Sequence, residues 1–248
     1  MRQPHLLYLA TKSQRMKIGI MQPYFLPYLG YFQLMNACDE FVVYDNIKFT
    51  KKGWIHRNRM LLNGTDVMFS LPLKNDSDFL NVDQRFLGEN FEKEKAKILG
   101  QIRSSYGKAP CFKEAFPIIE GIFNDSERNL FVFIFNSLKK IKEYLSIPTP
   151  LIVSSTIDID HELKGKYKVM EIIKKLGGDT YINPIGGMEL YDKAEFAAND
   201  ITLQFHKMRP IVYTQSGNTF VSSLSILDVM MFNDRTAIMS YLREFDLL

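Results

Sequence analysis

The stretch KIGIMQPYFLPYLGYFQLMNACDEFVVY, Lys17 to Tyr44, decides the fold. Lys17–Met21 is a short apolar run and reads as a buried strand. A loop rich in proline and tyrosine follows, Gln22 to Gly30. Tyr31 to Ala37 has helical composition, and Glu40 to Tyr44 is a second β run. Strand, loop, helix, strand is a βαβ unit, expected to cross over right-handed. Outward from it the pattern repeats. Residues 151–157 and 180–183 read as strands, 161–176 and 192–199 as helices, and 201–206 alternates as a strand. Helices are expected at 222–232 and 236–245. Asn63-Gly64, between apolar runs at 60–62 and 67–71, predicts a type I′ hairpin. Three helices are expected in a helical insertion at about 91–147, over 91–105, 111–123 and 126–145. The expectation is an α/β fold with a mostly parallel, Rossmann-like sheet. Residues 1–15 are set apart as an N-terminal extension and 16–248 as one domain.

Composition narrows the class. The chain has 248 residues, 46% hydrophobic and 24% charged, with a formal net charge of +3. That is globular composition, with enough length for a core that needs no staples. Two cysteines exclude a disulfide framework and suit a reducing cytoplasm. No apolar run is long enough for export or a membrane span. The charge is too mild for a duplex nucleic-acid binder but compatible with an anionic small molecule.

Four segments carry candidate chemistry. The first is QPYFLPYLGY, Gln22 to Tyr31. Loops at the carboxyl ends of parallel strands are where α/β proteins bind ligands. Gln22, Tyr24, Tyr28 and Tyr31 are therefore candidate pocket residues. The layout is also similar to the loop of HIGH-type nucleotidyltransferases, with Tyr28 and Tyr31 where the histidines stand. Tyrosine donates a hydrogen bond but brings no positive charge at neutral pH. The second is KFTKKGWIHRNR, Lys48 to Arg59, with five Lys/Arg, one His and no acid. Arg57 and Arg59 suit a phosphate or carboxylate, and Trp54 offers a stacking face. The third is YINPIGGMELY, Tyr181 to Tyr191, where Gly186 and Gly187 can turn backbone N–H groups toward an anion. The fourth, Tyr213 to Asp228, reads mainly as structure, with Ser222 as a helix cap. Cys38 reads as a core thiol. No histidine pair has metal-ligand spacing. Asp45, at the end of the second strand, and His56 are the candidate general bases.

These pieces together resemble the WbqC-like family. The resemblance rests on Met21-Gln22-Pro23, Tyr24, Pro27 and Gly30-Tyr31, then Gly53-Trp54 and Arg57-Asn58. It continues through Tyr181–Tyr191, Tyr213 with Gln215, and Leu224-Ser225-Ile226-Leu227-Asp228. It covers about residues 16–235 and adds Asn58 to the candidate site. Asn183-Pro184 departs from the Ser-Gly usual there. The resemblance implies a link to bacterial O-antigen and other surface-polysaccharide gene clusters, with glycyl or other acyl transfer to a sugar. The expected function is acyl or aminoacyl transfer to a nucleotide-linked or polysaccharide sugar. The donor would be acyl-CoA or an aminoacyl group, a tRNA-linked one included, with no tightly bound cofactor. A degenerate nucleotidyltransferase and a non-catalytic binding subunit are the alternatives.

Overall fold

A computed structural model describes residues 15–217 and 219–248. The extension expected at 1–15 lies outside them except for Arg15. Six strands form one sheet: β1 (Lys17–Met21), β2 (Glu40–Val43), β5 (Leu151–Val153), β6 (Thr180–Pro184), β7 (Thr202–Met208) and β8 (Phe245–Leu247). Their order is β5-β2-β1-β6-β7-β8. Every neighbouring pair is parallel except β7 and β8. The chain builds outward from β1 to β2 and β5, then returns to β1's other side with β6. Between β1 and β6 the winding reverses, and crevices at such reversals are the preferred ligand sites of open α/β sheets.

Helices cover both faces, as the expected α/β architecture requires. On one, Phe41, Val43 and Ile182 pack with α1 (Leu29–Ala37) and α2 (Phe91–Tyr106). The same core takes in α3 (Phe112–Phe123), α4 (Leu130–Tyr144), α7 (Ile226–Phe232) and Ile238 and Leu242 in and after α8 (Arg235–Tyr241). On the other face, Ile18, Ile20, Val42 and Tyr181 pack with α5 (Gly165–Lys175) and with Phe196 of α6 (Lys193–Ala197). The hairpin of β3 (Arg57–Leu62) and β4 (Thr65–Ser70) stands apart from the main sheet. Asn63 and Gly64 both have positive φ, 53° and 78°, as a type I′ turn requires.

Several boundaries differ from the sequence expectation. The run at 151–157 stops being a strand at Val153, because Ser154–Thr156 coil into a single 3-10 turn. The helix expected from Ser222 starts at Ile226, capped by Ser225 Oγ accepting from Leu227 N. The last helix ends at Tyr241, and residues 245–247 form the antiparallel edge strand instead. Cys38 is a core thiol: its Sγ donates to the Leu34 carbonyl and burial raises its pKa.

One buried network ties the helical segment to the C-terminal part. Asp228, wholly buried, accepts from Tyr106 Oη at 2.8 Å, Tyr213 Oη at 2.7 Å and Gln215 Nε2 at 2.8 Å. Tyr106 Oη also accepts from Leu61 N in the hairpin at 2.8 Å. The fourth segment is thus structural, as expected, but its hub is Asp228 rather than a Ser222 cap.

His206 on β7 makes stability depend on pH. It is buried, its Nε2 has no hydrogen-bond partner among the described residues, and burial pushes its pKa from 6.5 down to about 4. The unfolded chain therefore takes up a proton at a pH where the folded chain does not. Stability is full above about pH 6.5 and declines toward pH 4, by about 3 kcal/mol from this residue. Urea unfolding at pH 7 and pH 4.5 measures the decline. His206→Phe should make it distinctly shallower, what remains coming in part from the similarly depressed His56, and equal slopes in the two proteins would refute the assignment.

Candidate functional site

An open cleft of about 720 Å³ lies at the winding reversal. The loop after β1 supplies Gln22, Tyr24 and Tyr28, and the end of β2 with the segment after it supplies Tyr44 and Lys48. Trp54 enters from the basic segment. The end of β6 and the loop beyond it supply Asn183, Gly186, Gly187 and Tyr191. This is the size of a small-molecule site. The wall carries four partly exposed tyrosines, the chain's single tryptophan, one lysine and no carboxylate.

Electrostatics keep the tyrosines as donors. Burial raises Tyr24, with the neighbouring Tyr28 adding to it, and burial also raises Tyr28. Tyr44 is pushed up to about 12 by burial, then by Tyr191 and Asp45. All three hydroxyls are protonated at neutral pH. Asn183 adds an unspent donor. Its Oδ1 accepts from Tyr181 Oη at 3.0 Å, while Nδ2, buried in the cleft wall, has no partner among the described residues. A buried amide left unpaired is costly and calls for a ligand or water partner. Gly187 makes room for it, since a Cβ there would stand 1.9 Å from Asn183 Nδ2.

The loop itself is held from below. Leu26 has a φ of 45°, a left-handed conformation uncommon for a non-glycine residue. Its carbonyl accepts from Asn58 Nδ2 at 2.7 Å and Ser225 Oγ at 2.8 Å. Asn58 Nδ2 also reaches the Phe25 carbonyl at 3.2 Å, and Ile226 N donates to the Pro27 carbonyl at 2.9 Å. Residues strained in this way cluster at binding sites, where surrounding bonds over-determine them.

A family model described as the WbqC-like protein family matches residues 22–240. The chain belongs to the WbqC-like family. Rv1507c, an uncharacterized protein of Mycobacterium tuberculosis, is 26% identical over 231 residues, covering 92% of this chain and 97% of its own. No solved structure matches. The motifs that carried the resemblance converge on one loop. QPYFLPY forms it at the cleft, while Asn58 and Ser225 clasp its backbone.

The other candidates are placed differently. Tyr31 is in the core at 1% exposure, its hydroxyl donating to the Gln22 carbonyl at 3.0 Å. It supports the loop and does not line the cleft. Arg57 donates through Nε to the Gly53 carbonyl at 2.9 Å and through Nη2 to the Lys52 carbonyl, which fixes the turn carrying Trp54. Arg59 pairs with Asp66 at 2.8 Å and reaches the Ser222 and Ser223 carbonyls. It borders, with Asn58, Trp54, Tyr24 and Tyr28, a smaller pocket of about 300 Å³.

Neither candidate base lines the cleft. Asp45 is buried and wrapped by the β5 turn. It accepts from Ser154 Oγ at 2.7 Å, Ser155 N at 2.9 Å and Ser155 Oγ at 2.5 Å. Those bonds tie the end of β2 to the end of β5. His56 faces a separate cavity with Phe49 and Arg85. Its pKa falls to about 4, through burial first and then the Arg57 and Arg85 charges. Among the described residues no group of three or more His, Cys, Asp or Glu could hold a metal ion, and no helix is long and apolar enough to cross a membrane. The polar cleft residues that sequence reasoning did not select are Tyr44, Lys48, Tyr181, Asn183 and Tyr191. Asn183 was findable, since it closes a predicted strand at its carboxyl end.

Proposed function

We propose that the cleft binds a nucleotide-linked sugar and that the protein transfers an acyl or aminoacyl group to it. The observation that carries this reading is the cleft wall: stacking rings, one cation, no carboxylate and an unpaired buried amide. Trp54 and the tyrosines suit a base or sugar ring. Lys48 suits a phosphate. The family's link to surface-polysaccharide clusters supports a sugar acceptor.

In this reading the sugar amine or hydroxyl attacks the donor carbonyl. The bond from that carbonyl to the donor's sulfur or oxygen breaks, and the acceptor's proton leaves with the departing group. Tyr28, Tyr44 and the Asn183 amide are protonated donors available to the developing oxyanion. Asp45 and His56 stand outside the wall, so neither takes the proton directly.

The nucleotidyltransferase alternative has less support, because Tyr31 spends its hydroxyl on the loop backbone.

The test is calorimetry and native mass spectrometry with a uridine-diphosphate amino sugar, acyl-CoA, glycyl-tRNA and a nucleoside triphosphate. Nucleotide sugar is expected to bind. Trp54→Ala, whose side chain is exposed, should weaken it about tenfold, the worth of one good stacking contact. Binding of nucleotide sugar with no transfer from any donor would favour a binding subunit. Triphosphate binding alone would overturn the reading.

A further inference from the structure

The basic segment splits between two cavities, and the half that turns away from the cleft builds a site of its own. Trp54 goes to the cleft. Lys51 and His56 go to a cavity of about 410 Å³, completed by Phe49, Leu71–Asn75 and Arg85. Arg85 directly follows the 3-10 turn at Val82–Gln84 and is 3% exposed. Its guanidinium rests on the Phe49 ring, 4.7 Å from the centroid, and Nη1 donates to the Ser77 carbonyl at 2.8 Å. No carboxylate pairs with it among the described residues, and its Nε has no partner. His56 lies against the same Phe49 ring at 5.2 Å, and its buried Nδ1 is also unpartnered. Lys74, exposed on the rim, has no ion-pair partner among the described residues either. Lys51 is neutralised by Asp78 at 2.7 Å.

The Asp78 carboxylate is near enough to feel the Arg85 charge but is ion-paired to Lys51, and a buried guanidinium with no direct ion pair and an unspent Nε–H is costly. Here the missing partner has a defined chemistry. It is an anion, it must accept hydrogen bonds from more than one direction, and it enters from the side where Lys74 stands. We infer that the Phe49–His56–Lys74–Arg85 cavity is a phosphate-binding subsite, separate from the cleft. Arg85 and Lys74 supply the charge, and His56 Nδ1 supplies a directed donor once it carries hydrogen. The occupant is a phosphate dianion, either free or as the end of a phosphomonoester. The inference does not depend on the sugar reading of the cleft.

His56 is a built-in reporter. In the full-length ¹⁵N-labelled protein at pH 7, titration with inorganic phosphate should move the His56 ring resonances saturably and leave His206 in place. Lys74→Ala keeps the fold, since Lys74 is on the surface, and should weaken phosphate about tenfold, the value of one charge-assisted contact. Arg85→Lys, which keeps the charge but loses the fork, should weaken it at least as much. Phenyl phosphate distinguishes the two sources: binding equal to phosphate marks a monoester end, and exclusion marks the free ion. A non-saturating shift, or a saturable one unchanged in Lys74→Ala and in a folded Arg85→Lys, would overturn the subsite.

Discussion

Asp228→Ala should lower the melting temperature by about 10 °C. The carboxylate takes three hydrogen bonds, from Tyr106, Tyr213 and Gln215, and is itself wholly buried. Removing it strands the Tyr106 and Tyr213 hydroxyls at roughly 1–3 kcal/mol each, while Gln215 Nε2 keeps the Val221 carbonyl at 3.0 Å, for a total of about 3–5 kcal/mol. In a domain this size each kcal/mol moves the midpoint by about 2–4 °C. Tyr213→Phe takes away one donor and leaves the carboxylate two, so its cost should be nearer 1 kcal/mol. Asp228→Asn keeps one acceptor and should fall between. The charge itself has a sign to respect. Burial raises the Asp228 pKa despite its donors, so the folded state holds the proton more firmly than the unfolded one. Its charge contribution therefore weakens as pH rises through that raised value, and the three donors limit the loss. Calorimetric melting of the three variants gives the ranking. A midpoint shift below about 3 °C for Asp228→Ala would mean that the network is dispensable.

Asn58→Ala is the second large effect, and it should reach the cleft as well as the fold. Its side chain holds the Phe25 and Leu26 carbonyls and accepts from Arg59 N at 2.8 Å. Without it the left-handed Leu26 keeps only Ser225. The expected cost is about 2–4 kcal/mol, from buried carbonyls left unpaired. Tyr24 and Tyr28 ride on the same loop, so ligand affinity at the cleft should fall more than tenfold even where the protein remains folded. Urea unfolding and calorimetric binding separate the two effects. Full affinity at reduced stability would show that the loop keeps its shape without the clasp.

The fold was readable because its signals are local. Short β-rich runs, Gly and Pro at loop ends, and Asn-Gly between apolar stretches each act within a few residues. β8 escaped because three residues at the edge of a sheet carry no period of their own. The cleft was half readable for the same reason. Gln22, Tyr24, Tyr28, Trp54, Gly186 and Gly187 follow strand ends, and the carboxyl-end rule gathers them. The polar residues beside them were not separable by spacing. Asp45, Arg57 and Asn58 have the chemistry of ligand contacts but spend it on Ser154 and Ser155 and on backbone carbonyls. Which of these a polar side chain does depends on what folds next to it. For Asp45 that partner is 109 residues away.

Ser225, which closes the clasp on Leu26, is separated from it by 199 residues. During synthesis the β1 loop therefore leaves the ribosome long before its second fastener exists. A nascent or truncated chain can lay down β1, α1, β2 and the Asn58 clasp, yet its first cleft wall stays half-latched until Ser225 and α7 dock. If the cleft binds as proposed, chains truncated before α7 should show no ligand affinity rather than a reduced one.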